Sequence, residues 1–244
     1  MRRLLPVTIC CSLLLAGCAT PENQGDPLEG LNRQVYRFNS AVDKAALKPL
    51  AQGYAVVVPR PARTGVHNFF SNIGDVFVSL NNLLQGHPNQ TASDIGRMVI
   101  NSTVGVVGLV DVASKMGLEK HDADFGQTLG KWGLGPGPYL VLPFFGSTTL
   151  RDSADIVANT ALYQHISPEA STRDKIIPVR ILDTRAQLLG VDSLLESSGP
   201  DEYAFVRSTY LQGRQNKIGG TVEPAPLEDD PGPTPEAPAS DVAP

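Results

Sequence analysis

The chain has 244 residues, a formal net charge of -5, 41% hydrophobic residues and 18% charged ones. The bases Arg2 and Arg3 lie at the N-terminus, and Glu223, Glu228, Asp229, Asp230, Glu236 and Asp241 fall between Thr221 and Pro244 without a base, so the part between is close to neutral. That balance excludes the basic footprint by which proteins release counterions from phosphates, and no nucleic-acid partner is expected.

Arg2 and Arg3 precede an apolar stretch from Leu4 to Leu15, and Ala16 and Gly17 lead into Cys18. This is the layout of a secretory signal, residues 1–17, removed after export. Leu15, Ala16, Gly17 and Cys18 resemble the lipobox of bacterial lipoproteins, where cleavage before the cysteine exposes a thiol and an amino group for acylation. Lipid attachment is therefore expected at Cys18. Cys10 and Cys11 leave with the signal, so no intramolecular disulfide is possible, and a lipidated thiol is unavailable for redox or metal chemistry. Several acyl chains on one residue anchor firmly, since each buried methylene contributes about 0.8 kcal/mol. Ala19, in place of the Asp that retains lipoproteins at the inner membrane, favours the outer membrane. Beyond the signal every apolar run is broken within about fifteen residues, short of the ~20 that a spanning helix needs.

Residues 18–25 read as the lipidated cysteine and a polar tether, and 26–220 as one domain. Residues 221–244, rich in Pro, Ala, Asp and Glu, hold too little apolar surface to offset the entropy of ordering and read as a disordered tail. Asp26 is placed to cap a first helix that opens with Pro27 and Glu29, carries Leu31, Val35, Phe38 and Val42 as one stripe, and stops at Pro49. A longer stripe runs through Val66, Phe69, Phe70, Ile73, Val76, Phe77, Leu80, Leu83 and Leu84, and Gly86 with Pro88 closes it. It is either ordinary core packing, the usual fate of an amphipathic helix, or a lipid-facing surface. Ser93, Gly96 and Arg97 begin another helix towards Thr103. Gly105, Gly108 and Gly117 allow close backbone approach in the small, apolar stretch that follows.

Glycine and proline crowd the region from Gly126 to Gly146, which disfavours regular helix there. The apolar run Tyr139 to Phe145 within it reads as a buried strand, a core loop or a mobile flap. Thr149 or Asp152 restarts helix, with Arg151 and Asp155 spaced to pair, and Ile176 to Gln212 reads as two helices divided at Gly199 and Pro200. Few segments alternate with period two, so the fold class is all-α.

Catalytic and metal chemistry are poorly represented. His67, His87, His121 and His165 are scattered singly, with none in a paired-ligand spacing. The run His121 to Asp124 reads as a solvated loop whose last residue caps a helix. Gly126 to Gly130 mimics a nucleophile elbow but follows no strand and carries Thr in place of Ser or Cys. Gly133, Gly135 and Gly137 open no helix, so they form no phosphate cradle. No catalytic residue, metal or cofactor is expected.

A resemblance covers nearly all of Asp26 to Gln212. Its carriers are Asp26 to Arg33, Tyr36 to Asn39, Val58 to Arg63 with Asn68, Phe69 and Phe70, Asn81 with Leu84 to Gly86, and Arg97, Asn101 to Thr103, Gly105, Gly108 and Asp111. They continue through Asp124 to Gly133, Gly137 to Pro143, Arg151, Asp152, Thr184 to Leu189, Arg207, Tyr210 and Gln212. In these motifs the chain resembles the MlaA family, also called VacJ, of outer-membrane lipoproteins that maintain lipid asymmetry. The acidic tail is not part of that pattern. The resemblance implies a single ring-like helical domain in the periplasmic leaflet of the outer membrane, beside a porin trimer. An amphipathic channel would carry misplaced phospholipids to a periplasmic lipid carrier of the MlaC kind. Mapped onto this sequence, Phe69, Phe70, Ile73, Phe77, Leu80 and Leu84 are expected to face the membrane. Gly133, Gly135, Gly137 and Pro138 are expected to act as hinges for a gate formed by Tyr139, Leu142, Pro143 and Phe144. The competing reading is a structural lipoprotein that scaffolds the envelope through its apolar helices without moving lipid.

Overall fold

The computed structural model describes residues 26–166, 170–197 and 199–219. The signal, Cys18, the tether and the acidic tail lie outside the described residues. The helices are α1 (Glu29–Val42), α2 (Lys48–Val57), α3 (Arg60–Leu84), α4 (Pro88–Thr103), α5 (Val112–Lys115) and α6 (Phe125–Lys131), followed after a hairpin by α7 (Ser153–Ile166), α8 (Ala170–Gln187), α9 (Asp192–Glu196) and α10 (Glu202–Ile218). The hairpin pairs β1 (Tyr139–Leu142) antiparallel with β2 (Gly146–Thr149), Tyr139 opposite Thr149 and Leu142 opposite Gly146. The described residues are all-α apart from this two-stranded insert.

Two expectations about prolines are corrected. Pro49 does not stop the first helix: a π-helical turn (Asp43–Leu47) joins α1 to α2, and Pro49 sits in the first turn of α2. There its missing N–H was never needed. Pro88 likewise opens α4 rather than only ending α3, with Gly86 at φ 77° providing the reversal between them. Nor does the Asp26 carboxylate cap α1, which starts at Glu29 behind Leu28: it accepts from Leu28 N at 3.1 Å, in the turn just ahead of the helix.

Successive packing partners close on themselves. From α1 the π turn leads to α2, which packs on α8; α8 packs on α3, α3 on α6, α6 on α10, α10 on β2, and β1 returns to α1. The circuit is sealed where the starts of α1 and α10 meet: Tyr203 donates to Asp26, and Arg33 forks onto Asp201 at 2.7 and 2.9 Å. This closed order is the ring-like arrangement expected. A small aromatic core of Tyr139, Val141 and Tyr203, flanked by Val35, Tyr36, Tyr210 and Leu211, sits under the closure. Among the described residues no helix is long and apolar enough to cross a membrane.

Candidate functional site

The fold is turned inside out relative to a water-soluble domain. Its buried apolar residues are few, among them Ala51, Ala113, Tyr139 and Val141, while Asp26, Asn32, Asp75, Asp94, Arg97, Asn101 and Thr128 are all at most 3% exposed. Long charged side chains are almost never fully buried unless paired. Apolar side chains lie on the outside instead: Leu50, Val56 and Val57 on α2, Leu80, Leu83 and Leu84 on α3, Ile95 and Val99 on α4.

The contact of α3 with α4 shows how the sequence produces this. Asn72, Asp75, Ser79 and Asn82 recur every three or four residues on α3, and Thr91, Asp94, Arg97 and Asn101 do so on α4. Each set therefore forms one stripe. The stripes meet antiparallel. Asn82 donates to Asp94 at 2.7 Å, Arg97 Nε lies 3.5 Å from Asp75 Oδ2, and Asn72 donates to Ser102 at 2.8 Å. Arg97 also donates to Ser114 Oγ, the Leu118 carbonyl and Asp111, while Lys120 reaches Asp75 at 2.6 Å and His121 reaches Asp94 at 2.9 Å. Burial works against the charged Asp111, yet bonds from Ser114, Asn101 and Arg97 hold its carboxyl well below the usual range.

A second polar seam joins α6, β2 and α10. The Arg214 guanidinium bonds both Asp124 and Asp152, and Tyr210 donates to Asp152 at 3.0 Å. Burial opposes ionisation of both carboxyls, but Arg214, joined by Arg151 at Asp152, outweighs it and keeps their pKa values low. Asp155 has no such cation bonded to it. Burial raises its pKa, and it accepts from Phe125 N and Asn159. Arg151 precedes α7 and bonds Asp152 at 2.9 Å, so the expected Arg151–Asp155 pair is not formed. Asp124 caps α6 as expected, accepting from Gln127 N at 2.8 Å.

The run Tyr139 to Phe145 resolves into β1 and the exposed hairpin tip. Two asparagines of α1 hold it by imitating a neighbouring strand. The Asn32 amide donates to Tyr139 O and accepts from Val141 N, and the Asn39 amide donates to Leu142 O and accepts from Phe144 N, all at 2.9 or 3.0 Å. Seven helical residues span roughly 10.5 Å and three strand residues roughly 10 Å, so the two amides match the strand's repeat. Of the residues expected to form a gate, Tyr139 is buried, Leu142 and Pro138 are half-buried, and Pro143 and Phe144 are exposed. Phe144 has a φ of 66° and stacks edge-on against Phe38 at 5.5 Å. Gly133 and Gly137, expected hinges, have φ of 91° and 67°, which suits glycine, and Gly135 is exposed between them.

The expected membrane face of α3 divides. Leu80 and Leu84 are exposed, Phe69, Phe70 and Ile73 half-buried, and Phe77 is 9% exposed. Phe77, Leu80 and Leu84 line an apolar cavity of ≈ 440 Å³ with Phe125 and Ala158, and Phe69 and Phe70 line one of ≈ 220 Å³ with Val66, Leu109 and Val179. The polar stripes escaped a reading that followed only apolar periodicity. Their signal was the same three-and-four spacing, carried by Asn, Asp and Arg. Among the described residues no cluster of His, Cys, Asp or Glu suits a metal ion.

The sequence model described as MlaA lipoprotein matches residues 24–217. The chain is 39% identical over 225 residues to the intermembrane phospholipid transport system lipoprotein MlaA of Shigella flexneri, spanning 86% of this chain and 87% of that protein. It is 38% identical to the protein so named in Escherichia coli strain K12, with the same coverage, and 30% identical over 221 residues to that of Haemophilus influenzae, spanning 85% and 87%. A solved structure described as "Structural basis for maintenance of bacterial outer membrane lipid asymmetry" aligns with a TM-score of 0.71 and 37% identity, covering 80% of this chain and all of that one.

Proposed function

The chain belongs to the MlaA lipoprotein family, and from that membership we propose that it acts in phospholipid transport between membranes. It is an outer-membrane lipoprotein, anchored through Cys18 in the periplasmic leaflet. It takes mislocalised phospholipids from the outer leaflet along a polar path inside its circuit of helices and hands them to a periplasmic carrier, which maintains lipid asymmetry. A porin trimer is its neighbour in the membrane.

The observation that carries this reading is the inverted polarity: polar stripes buried between helices, with leucine, valine and phenylalanine exposed. A headgroup needs a polar path while its acyl chains stay in hydrocarbon. No covalent bond changes, so the work requires no catalytic residue, metal or cofactor. In this reading Phe69, Phe70, Ile73, Leu80 and Leu84 face lipid, and Phe77 backs them from the cavity wall. The gate is the hairpin tip at Pro143 and Phe144, latched to α1 by the bonds of Asn39 to Leu142 O and Phe144 N, and Gly133, Gly135 and Gly137 take up the bending.

The test is deletion of the gene followed by measurement of phospholipid exposed at the cell surface. Exposure is expected to rise on deletion, to fall with the intact gene, and to stay high with Cys18→Ala. Unchanged exposure on deletion overturns the reading, and full rescue by Cys18→Ala removes the anchor from it.

A further inference from the structure

Between Arg97 and Asp111 no residue is charged, and the middle of that stretch adopts a backbone that its side chains disfavour. Val106 and Val107 have φ of 54° and 57°, followed by Gly108 at 85°, three left-handed residues in a row. Gly accepts that conformation freely and Asn tolerates it, but a β-branched residue there is strained. Neither valine repays the strain by packing. Val104, Val106 and Val107 are 60 to 66% exposed. The only other non-glycine residue with positive φ among the described residues is Phe144, also apolar and exposed. Strain that persists at exposed side chains points to use of those side chains.

The turn is held from beneath by polar groups. Asn101 Oδ1 accepts from Val112 N and Ala113 N at 2.9 Å, and Asn68 donates to Leu109 O at 3.1 Å. Gly105 lies so close to the Val110 carbonyl that a Cβ there would sit 2.2 Å from it, and a Cβ on Gly108 would strike Asn72. Six of the seven backbone amides from Val104 to Val110 are also paired. The amides of Val104 and Gly105 donate to Ile100 O, Val107 to Ser102 O, Gly108 to Asn101 O, Leu109 to Val106 O and Val110 to Gly105 O.

We propose that the Val104–Val110 turn is a wedge that enters the hydrocarbon of a phospholipid leaflet. Water gives no reason to keep two strained valines where Asn or Gly fits. Hydrocarbon penalises unpaired backbone groups, and of the seven amides from Val104 to Val110 only that of Val106 has no partner. The occupant also follows from continuity: Leu109 shares its cavity with Val66, Phe69, Phe70 and Val179, so the turn adjoins the half-buried apolar residues of α3 that the proposed function sets against lipid. The wedge rests on the reading of that face as membrane-facing, and the experiment separates the two.

The full lipidated chain, carrying either Val106→Cys or Leu80→Cys with a thiol-linked fluorophore, is reconstituted in vesicles of phosphatidylethanolamine and phosphatidylglycerol. Emission from both sites is expected to be quenched several-fold more by nitroxides on lipid chains than by aqueous iodide. Lipid quenching at position 80 with iodide quenching at 106 overturns the wedge and leaves the membrane face standing. Iodide quenching at both overturns both. A fluorophore at 106 reached by neither quencher overturns the wedge in favour of a protein contact. In parallel, the Val106→Asn, Val107→Asn double variant is expected to keep or raise the thermal midpoint in detergent. In the full chain carrying Cys18→Ala, it should lower the vesicle-bound fraction several-fold. A lower midpoint, or unchanged binding, assigns the valines to the fold and overturns the proposal.

Discussion

The seam between α3 and α4 and the seam between α1 and the hairpin are both polar, but different groups close them. The first is ionic: Arg97, 1% exposed, lies among Asp75, Asp111 and Ser114, and Asp94 is held by Asn82 and His121. The second is neutral, two asparagine amides against one strand. Neutral hydrogen bonds contribute about 0.5 to 1.5 kcal/mol each and re-form readily with water. Parting a buried ion pair strands a charge, which costs about 3 to 5 kcal/mol. The fold therefore has a rigid side and a yielding side, and the hairpin proposed as gate is on the yielding one.

The largest effect expected is at the ionic seam. Arg97→Met leaves Asp75 and Asp111 without their shared cation and should destabilise the protein by about 3 kcal/mol or more, measured by guanidinium unfolding in detergent. A loss under about 1 kcal/mol would show that Lys120 alone balances Asp75 and that the seam is not rigid for the reason given. Next is Arg214→Met. Asp124 and Asp152 have depressed pKa values in the fold, so they contribute stability above their unfolded values of about 3.9, and that stability is lost as pH falls through the folded ones. Without Arg214 the penalty of burial remains. The acid-induced loss of helical circular dichroism should move to higher pH, and an unmoved midpoint breaks the assignment.

At the neutral seam Asn39→Leu removes both bonds to Leu142 O and Phe144 N, with an expected loss of about 1 to 3 kcal/mol. Hydrogen exchange supplies the sharper reading. The Phe144 amide should exchange roughly tenfold faster or more in this variant. It should keep its protection where the ionic seam is weakened by Lys120→Met, which leaves the hairpin untouched. Equal loss of protection in both would mean that the two seams open as one unit.

Helix positions were legible in the sequence because their apolar stripes are real, but the stripes do not say which way a helix faces. Leu80 and Leu84 would mark a core in a soluble domain, yet here they are outside. The decision lay in the opposite face, where Asn72, Asp75 and Asn82 find partners on a helix whose position no local pattern gives. Pro49 misled for a related reason, since the rule against proline inside a helix presumes unbroken α-helical bonding and the π turn ahead of it removes that condition. The hairpin required tertiary information: Asn32 and Asn39 look like ordinary polar positions until a strand 107 and 103 residues away supplies their bonds.

The smallest effect separates buried polar seams from the exposed rim where the circuit closes. Asp201 has a pKa lowered to about 2, chiefly by its bond from Arg33 and then by that from Ala204 N, but it is 45% exposed and Arg33 31%. Water and salt screen such a pair, so Arg33→Met should lower stability by no more than about 1 kcal/mol at neutral pH, and by less at high salt. The Asp201 pKa should still rise towards the ordinary ~3.9 and remain below it, because the Ala204 bond survives. Nuclear magnetic resonance titration of Asp201 reads this directly. A pKa unmoved by the variant would mean that Arg33 does not grip Asp201 in solution. The circuit would then be closed by the bond from Tyr203 to Asp26 and the aromatic core beneath it.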